Sequence, residues 1–420
     1  MRAIGPPDGA AQLAGEMVGV VRGVRLPDGT LGDVALEGGV VGVVPGEGAE
    51  LDASGWRVLP AACEPHAHLD KALTAPRVDP GAGNDLVAAI EQWRAILPGI
   101  DTADVHARAL AAVHRYVARG ITTIRTHVDV AREGDPLRGV DALVALREQL
   151  RGRVTLQVCL LAGSEASDAA VAEAVARGID VIGGCPHLAP DPHHEVTRML
   201  DVAERTGLPV DLHADEQLDV TLPDERFDIV DLAEQVLARG LAQRVTASHC
   251  VRLGMLEPER LAPILDLVAR AGLGVVTLPI TNLYLQAREV THAAPRGLAA
   301  LRQILDAGIP LAAGADNLRD PFNPAGRADP FETTSLLMTA GFLTAEQALA
   351  AVTTGAREVL GLPQAGVAPG DVADLMLVPD TEAGDLLAGA EDARIVLHGG
   401  RVVADTRVHR AVDLPLLIAR

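Results

Sequence analysis

The stretch DTADVHARALAAVHRYVARGITTIRTHVDV, residues 101–130, decides the fold that this sequence predicts. In its first part the apolar residues recur at intervals of three and four, which is typical of a helix that buries one face. Gly120 then stands where a helix commonly ends. The apolar run that follows this glycine has the composition of a buried strand. The stretch therefore predicts one helix followed by one strand of a largely buried sheet.

The same alternation of strand and helix extends from about residue 61 to residue 366. Helical segments such as DAAVAEAVARG, residues 168–178, separate short apolar runs. The candidate strands are VLPAAC (58–63), GITTIRTHVDV (120–130), RVTLQVCLL (153–161), IDVIGG (179–184), PVDLH (209–213), RVTASH (244–249), GVVTLP (274–279) and PLAAGAD (310–316). Eight strands that alternate with helices over about 300 residues predict a (β/α)₈ TIM barrel, with a doubly wound open sheet as the alternative.

The two ends of the chain have a different pattern. Residues 1–60 and 367–420 contain short β runs divided by turn signals, and neither segment is long enough to bury a core alone. We therefore expect them to pair into one composite β-sandwich beside a barrel domain of residues 61–366. The glycine-rich run at residues 39–48 lies in this β region and not between a strand and a helix, so it predicts no dinucleotide site. Residues 1 to about 14 are expected to be poorly ordered.

The composition limits the partners that the protein can have. The chain has 420 residues and a formal net charge of −21. A surface this acidic repels phosphate backbones and anionic membranes, so nucleic acid and membranes are not expected as partners, and small neutral or cationic substrates are favoured. The four cysteines form no CxxC pair and are expected to be buried thiols in a reducing compartment. Without a signal peptide pattern or a stretch of about 18 apolar residues, the protein is expected to be cytoplasmic.

Polar residues collect at the predicted carboxyl ends of the strands, where barrels of this kind place their functional sites. After the first strand, His66 and His68 are two residues apart and therefore point to the same face. Imidazoles at this spacing suit a divalent metal, although the pair alone is a weak indication. The fifth, sixth and eighth strands end in His213, His249 and Asp316. Each could be a turn or capping residue, but their coincidence predicts a metal site with four ligands and room for a water.

Six motifs resemble, in order and spacing, those of the amidohydrolase superfamily and of its cytosine deaminase-like branch: EPHAHLDK (64–71), RTHVDV (125–130), HADE (213–216), RVTASH (244–249), NLYLQAR (282–288) and DNLRDPFNPAGRADP (316–330). The resemblance covers nearly the whole chain. It implies one Zn²⁺ or Fe²⁺ ion per chain, with the ligands His66, His68, His213 and Asp316. Binuclear relatives carry a bridging carboxylated lysine after the fourth strand, where this chain has none in IDVIGGCPH (179–187), so one metal is expected.

The resemblance also implies roles in catalysis. A bound divalent metal lowers the pKa of its water from 15.7 to about 7, which gives hydroxide at neutral pH. Asp316 and His249 would take the proton of this water or stabilise the hydroxide. Glu216 would carry a proton to the ring nitrogen or to the departing amine, unless it is only a turn or capping residue.

Further residues near the strand ends are candidates for binding the substrate or for orienting the ligands. The expected substrate contacts in this group are Lys71, Asn282, Gln286 and Phe322. The alternatives are an exposed position for Lys71 and packing within its loop for Phe322. His127 and Asp129 are expected to orient the metal ligands, or else to form a hydrogen-bonded structural pair. Trp93 is expected to pack in the core or in a lid.

Two positions depart from the cytosine deaminase pattern. Gly163 stands where those enzymes carry a glutamine that reads the pyrimidine edge, and Asn317 replaces a second aspartate. An unpaired polar edge on a buried ligand costs about 1–3 kcal/mol, so cytosine itself is not the expected substrate. Asn317 can donate as well as accept, so it suits a different ring edge. The expected substrate is another nitrogen heterocycle or a cyclic amidine with an exocyclic amine, and Gly163 also leaves room for a bulkier ring.

The leading hypothesis is therefore an aminohydrolase (a deaminase) that acts on a heterocycle. One alternative is an amidohydrolase that releases an alkylamine or opens a cyclic amide, because the DNLRD sequence at residues 316–320 resembles enzymes that act on triazines. A second alternative is a metal-binding protein without catalysis. His249 and Glu216 argue against it, because a purely structural site needs neither. A homo-oligomer is only the tendency of the family.

Overall fold

The computed structural model describes residues 3–4, 14–79, 85–408 and 411. The lead-in expected at residues 1 to about 14 lies almost entirely outside the described residues. The strands, in chain order, are β1 (Ala3–Ile4), β2 (Val18–Arg25), β3 (Leu31–Glu37), β4 (Val40–Val41), β5 (Ala49–Asp52), β6 (Trp56–Pro60), β7 (Ala62–Ala67), β8 (Ile121–Asp129), β9 (Thr155–Ala162), β10 (Val181–Gly184), β11 (Val210–Ala214), β12 (Val245–His249), β13 (Gly274–Thr277), β14 (Leu311–Ala313), β15 (Leu375–Pro379), β16 (Arg394–His398) and β17 (Arg401–Thr406).

The α-helices are α1 (Leu86–Ile96), α2 (Thr102–Ala118), α3 (Arg138–Gln149), α4 (Asp168–Ala176), α5 (Pro192–Thr206), α6 (Asp228–Arg239), α7 (Pro258–Arg270), α8 (Pro279–Leu285), α9 (Leu301–Asp306), α10 (Pro330–Thr339), α11 (Ala345–Val352), α12 (Thr354–Leu360) and α13 (Ala383–Gly389). Within the described part of the chain, none of them combines the length and the apolar composition needed to cross a bilayer. The cytoplasmic location and the homo-oligomer expected from the sequence stay predictions.

Strands β7 to β14 form one parallel sheet in the order of the chain. A parallel bridge between Ala67, at the end of β7, and Asp316, just after β14, joins the two edges of this sheet at its carboxyl rim. The predicted (β/α)₈ barrel is therefore confirmed, and the open sheet is excluded. Because all eight strands run in the same direction, their carboxyl ends meet at one rim.

The opening stretch forms α2 and β8 as predicted. Asp101 caps α2 by accepting a hydrogen bond from the backbone N–H of Asp104 at 2.8 Å. Gly120, with φ of 93°, then turns the chain into β8. A Cβ atom at Gly120 would collide with the sulfur of Met376 in β15. The end of this helix therefore packs against the strands from the chain termini, and only glycine fits there.

Within the described ranges, the terminal strands form a second sheet of nine strands. In it β6, from the N-terminal part of the chain, pairs antiparallel with β15, from the C-terminal part, so that Val58 lies opposite Leu377. Valine and leucine side chains, among them Val21 and Leu51, fill its core. The predicted β-sandwich built from both ends of the chain is confirmed, while its exact limits at residues 60 and 367 stay a prediction.

Arg394 of β16 forms a buried ion pair that ties the terminal sheet to the barrel. Its two terminal nitrogens lie 2.9 and 3.0 Å from the two carboxylate oxygens of Asp329, which also caps α10. The Arg394 side chain is fully buried, and its guanidinium lies 4.2 Å from the ring centroid of Phe331. A bidentate pair of this kind needs both partners, because either charge alone would be buried without compensation.

Replacing Arg394 with leucine is therefore expected to lower the free energy of unfolding by about 3 kcal/mol, because the Asp329 carboxylate would lose its buried bidentate partner and keep only Arg119 at 3.4 Å. Urea unfolding followed by circular dichroism measures the change. The matched control is Arg151→Leu, since Arg151 is 77% exposed and pairs with Glu148 at the surface. The Arg151 substitution is expected to lower the free energy of unfolding by about 1 kcal/mol or less. Equal losses in the two variants would contradict the importance of the buried pair.

Candidate active site

Four potential ligand atoms converge at the carboxyl rim of the barrel. The Nε2 atom of His213, in β11, lies 3.1 Å from Nε2 of His66 and 3.3 Å from Nε2 of His68. The Oδ1 atom of Asp316 lies 3.2 Å from Nε2 of His68 and 3.9 Å from Nε2 of His66. All four side chains are buried. The four residues predicted to be metal ligands are thus brought together around one point.

The spacing and the chemistry of these four side chains fit a divalent metal. Two ligands that are each about 2.05 Å from a tetrahedral zinc lie about 3.3 Å apart, which is close to the distances between these atoms. Burial lowers the pKa of His66, His68 and His213 well below its ordinary value, so the imidazoles are neutral and keep a lone pair. The Asp316 Oδ1 atom is buried without a hydrogen-bond partner among the described residues. A cation bound here would satisfy it.

The backbone is strained where the site is built. His249, at the end of β12, and Asp316 have φ of 74° and 68°, in the left-handed region that few residues other than glycine adopt. The loop that carries Asp316 is held by Glu64, whose carboxylate accepts the backbone N–H of Ala315 at 2.9 Å. A Cβ atom at Gly314 would collide with this carboxylate. Burial raises the pKa of Glu64 to about 8. The sequence analysis assigned Glu64 no role.

Glu216 lies beside the four converging atoms and is held by two histidines. Its carboxylate is 3.3 Å from Nε2 of His187 and 3.7 Å from Nδ1 of His249. Burial raises the pKa of Glu216, but the neighbouring His249 and His187 outweigh burial and leave the pKa below its ordinary value. Glu216 is therefore a carboxylate at neutral pH. Sequence reasoning missed His187, although it stands in the segment after the fourth strand that was searched only for a lysine.

Two of the residues expected to contact the substrate are bonded to the protein instead. Asn282 donates from Nδ2 to Nδ1 of His249 at 3.1 Å, and Gln286 donates to the backbone carbonyl of Glu216 at 2.7 Å. Burial lowers the pKa of His249 to about 4, so this imidazole is neutral. These contacts favour a supporting role for Asn282 and Gln286, and their contact with a substrate stays a prediction.

A cavity of about 190 Å³ opens beside the four converging atoms. Its polar floor contains His68, His213, Glu216, His249 and Asp316. One wall is apolar and comes largely from α1 and the residue that follows it, with Leu86, Ile90, Trp93 and Leu97. Four of the six predicted substrate contacts line the cavity: Lys71, Gly163, Asn317 and Phe322. A flat, largely apolar ring with polar edges suits such a cavity.

Lys71, Asp129 and Trp93 form one buried group at the side of the cavity. Lys71 is only 4% exposed, so the alternative of a surface lysine is excluded. Its Nζ lies 2.8 Å from Oδ1 of Asp129 and 3.3 Å from Nδ1 of His68, and Trp93 donates to Oδ2 of Asp129 at 2.8 Å. Burial lowers the pKa of Lys71, but Asp129 and Asp70 outweigh burial and raise it, so the amine is charged. Trp93 therefore packs in the core, as one of the two expected alternatives, and also lines the cavity.

His127 is fully buried between Asp211 and His66, and its Nε2 lies 3.6 Å from Oδ2 of Asp211. Its ring stacks on that of His66, with centroids 3.9 Å apart and an angle of 27° between the planes.

Asn317 donates from Nδ2 to Asp320 at 2.7 Å, and the same carboxylate accepts the backbone N–H of Phe322 at 2.9 Å. The loop after β14 is thus fixed by Asp320, a residue that the sequence analysis did not single out.

A barrel whose rim joins three neutral imidazoles and the carboxyl group of Asp316, with the carboxylate of Glu216 beside an apolar cavity, defines a metal-dependent hydrolase. The sequence matches the amidohydrolase family over residues 100–404, and the chain belongs to this family. It is therefore a hydrolase of carbon–nitrogen bonds other than peptide bonds. The resemblance that the sequence motifs indicated is confirmed.

Proteins of known activity resemble the chain over most of its length. The pterin deaminase of Rhizobium rhizogenes is 30% identical over 391 residues, which are 90% of this chain and 87% of that protein. The 5-methylcytosine deaminase of Klebsiella pneumoniae, solved with phosphonocytosine, superimposes with a TM-score of 0.84 at 26% identity, over 94% of this chain and all of that one. The N-isopropylammelide isopropylaminohydrolase of Burkholderia multivorans has a TM-score of 0.78 at 28% identity, over 92% and 98%.

Proposed function

We propose that the chain is an aminohydrolase that releases ammonia from an amino-substituted heterocycle of two fused rings, with pterin as the first candidate. The observation that carries the proposal is the position of Glu216, which lies beside His249 and the converging ligand atoms and faces the same cavity. A carboxylate there can move protons between water and a leaving amine. The similarity to pterin deaminase over most of the chain supports the choice of ring system.

We further propose one Zn²⁺ or Fe²⁺ ion per chain, held by His66, His68, His213 and Asp316. When bound, such an ion supplies a hydroxide nucleophile at neutral pH, because it lowers the pKa of water from 15.7 to about 7. A second ion is disfavoured. Among the described residues, the one fully buried cluster of potential ligands that shares only His66 with the proposed ligands and with His249 is His66, His127 and Asp211, and it has the guanidinium of Arg125 at 2.9 Å from Asp211. That positive charge would repel a cation.

The remaining side chains have separate tasks in this proposal. The Nε2 atom of His249 has no hydrogen-bond partner among the described residues, so with its proton there this imidazole can donate a hydrogen bond to the attacking oxygen and stabilise its negative charge. Glu216, as a carboxylate, accepts a proton from the attacking water and delivers it to the ring nitrogen or to the departing amine. His187 and Gln286 hold Glu216 in place. The apolar wall from α1 excludes competing water from the ring.

The open space at Gly163 bears on the size of the substrate ring that the cavity can hold. A Cβ atom added at Gly163 would meet nothing within 4 Å. The cavity therefore has open space where a side chain would otherwise limit the ring to one six-membered unit. A fused second ring can occupy this space and pack against leucine side chains such as Leu161 and Leu188, which also line the cavity.

The experiment that tests the proposal is an assay of ammonia release by protein of known metal content. The substrates are pterin, amino-purines, amino-pyrimidines including cytosine, amino-triazines and cyclic guanidines. Turnover of pterin at a rate well above that of cytosine is the expected result. Release of isopropylamine from an N-isopropyl triazine without ammonia from any substrate would replace the proposal with an alkylamine-releasing hydrolase.

Replacing Gly163 with glutamine is expected to lower kcat/KM for the fused-ring substrate and to raise it for cytosine. The new side chain would fill the space for a second ring and offer an amide to a pyrimidine edge. An altered contact of about 1–3 kcal/mol corresponds to a change of roughly 10–200-fold in either direction. The control is Gly384→Gln, because Gly384 also has open space and lies in α13, away from the barrel rim. An unchanged ratio of the two kcat/KM values would contradict the argument.

A further inference from the structure

Behind the converging ligand atoms, a row of buried polar groups runs from Arg125 to His66. Nδ1 of His66 lies 3.0 Å from Oγ of Ser248. Ser248 in turn donates to Oδ1 of Asp211 at 2.7 Å, and Nη1 of Arg125 donates to Oδ2 of Asp211 at 2.9 Å. Each of the four side chains is at most 1% exposed.

Only one assignment of hydrogen-bond donors and acceptors fits this row of side chains. Asp211 is paired with the guanidinium of Arg125, so it is a carboxylate and can only accept hydrogen bonds. Ser248 must therefore donate its single hydroxyl proton to Asp211. Its oxygen can then only accept from His66, which requires the proton of His66 to be on Nδ1. The Nε2 atom of His66 therefore carries no proton. Its lone pair points to the position where the ligand atoms converge.

The row could be mistaken for a second metal site, because His66, His127 and Asp211 also lie close together. Two observations argue against that interpretation. Both carboxylate oxygens of Asp211 are already occupied by Ser248 and Arg125, and the latter is a cation itself. His127 contributes through its ring face, which stacks on His66 and holds the plane of that imidazole.

We propose that Ser248 is a positioning residue that keeps the proton of His66 on Nδ1 and so presents an unprotonated Nε2 to the metal. Without the hydroxyl, a neutral His66 has no fixed tautomer. The tautomer with the proton on Nε2 cannot bind a metal through that atom. The inference rests on the proposed metal centre, and it does not depend on the identity of the substrate.

The test compares Ser248→Thr with Ser248→Val, two variants of equal shape that differ only in the hydroxyl. The dissociation constant for Zn²⁺ is measured by competition with a chelator, with no substrate present. The threonine variant is expected to bind zinc nearly as the wild type does, and the valine variant roughly 10–100-fold more weakly. Equal affinities in the two variants would overturn the inference, because a role in packing alone affects both alike.

A second pair covers the case in which neither larger side chain is accommodated. Ser248→Ala is expected to weaken zinc binding by the same roughly 10–100-fold. Its metal-free form is expected to melt at a lower temperature, because Asp211 loses a buried donor, but to stay folded at the temperature of the assay. Its control is Thr246→Val, in the same strand, since the Thr246 hydroxyl is buried without a partner among the described residues. Wild-type affinity in Ser248→Ala, or an equal loss in both variants, would refute the role of Ser248. A wild type that binds no zinc would refute the metal centre itself, whereas failure of the ammonia assay alone would concern only the substrate.

Discussion

Replacing His213 with alanine is expected to remove the bound metal and to lower the rate of hydrolysis at least about a thousandfold, because water without a metal keeps a pKa of 15.7 and supplies almost no hydroxide at neutral pH. The Nε2 atom of His213 lies within 3.3 Å of the corresponding atoms of both His66 and His68. Its loss therefore leaves an incomplete set of ligands at the barrel rim. Elemental analysis of the purified protein and the ammonia assay measure the two effects.

The matched control for this prediction is His193→Ala. His193 lies in α5, its side chain is 71% exposed, and its contact is a surface pair with Asp231. The control is expected to keep its metal and its activity. Circular dichroism of both variants shows whether the barrel is intact, and it should be, because β11 keeps its pairing with β10 and β12. A normal metal content in His213→Ala would refute its assignment as a ligand.

Replacing Glu216 with glutamine is expected to leave the metal in place and to lower kcat by roughly 10²–10⁴-fold, the contribution of a positioned proton-transfer group. The amide has the same shape as the carboxylate and can still contact His187, but it cannot accept and return a proton. Glu216 contacts His187 and His249, and among the described residues no group of potential metal ligands includes it. Metal content and kcat are measured on the same preparation.

Glu204→Gln is the control for this variant, because Glu204 is 43% exposed and pairs with Arg239 on the outside of the barrel. It should behave as the wild type does. Near wild-type turnover in Glu216→Gln would remove Glu216 from the proposed proton transfer, and loss of its metal would assign it to the metal shell instead. Together with His213→Ala, the variant separates binding of the metal from movement of protons.

Much of the site could be predicted because strand geometry alone determines which residues share a rim. Alternating side chains place His66 and His68 on one face, and parallel strands bring His213, His249 and Asp316 to the same end of the barrel. The helix and strand of the opening stretch were predicted from local patterns within one or two residues. These inferences need only the period of a helix or strand and the direction of the chain.

The contacts that orient the site could not be predicted in this way. Asn282 and Gln286 stand in a motif near the cavity, yet their amides bond to His249 and to the backbone of Glu216. Trp93, from a helix that follows the first strand, lines the cavity and donates a hydrogen bond to Asp129. A position in a motif does not specify a side-chain rotamer, because the rotamer depends on neighbours that come from distant segments of the chain.

The sequence by itself determined the barrel, the sandwich built from both termini, the family and the set of residues at the rim, because periodicity and motif order are local properties of the chain. Only the tertiary structure decided that His187 holds Glu216 and that Glu64 holds the loop of Asp316. The row from Arg125 through Asp211 and Ser248 to His66 likewise joins four separate strands. Each of these bonds forms between groups that closure of the barrel brings together and buries, where an unpaired polar atom is costly.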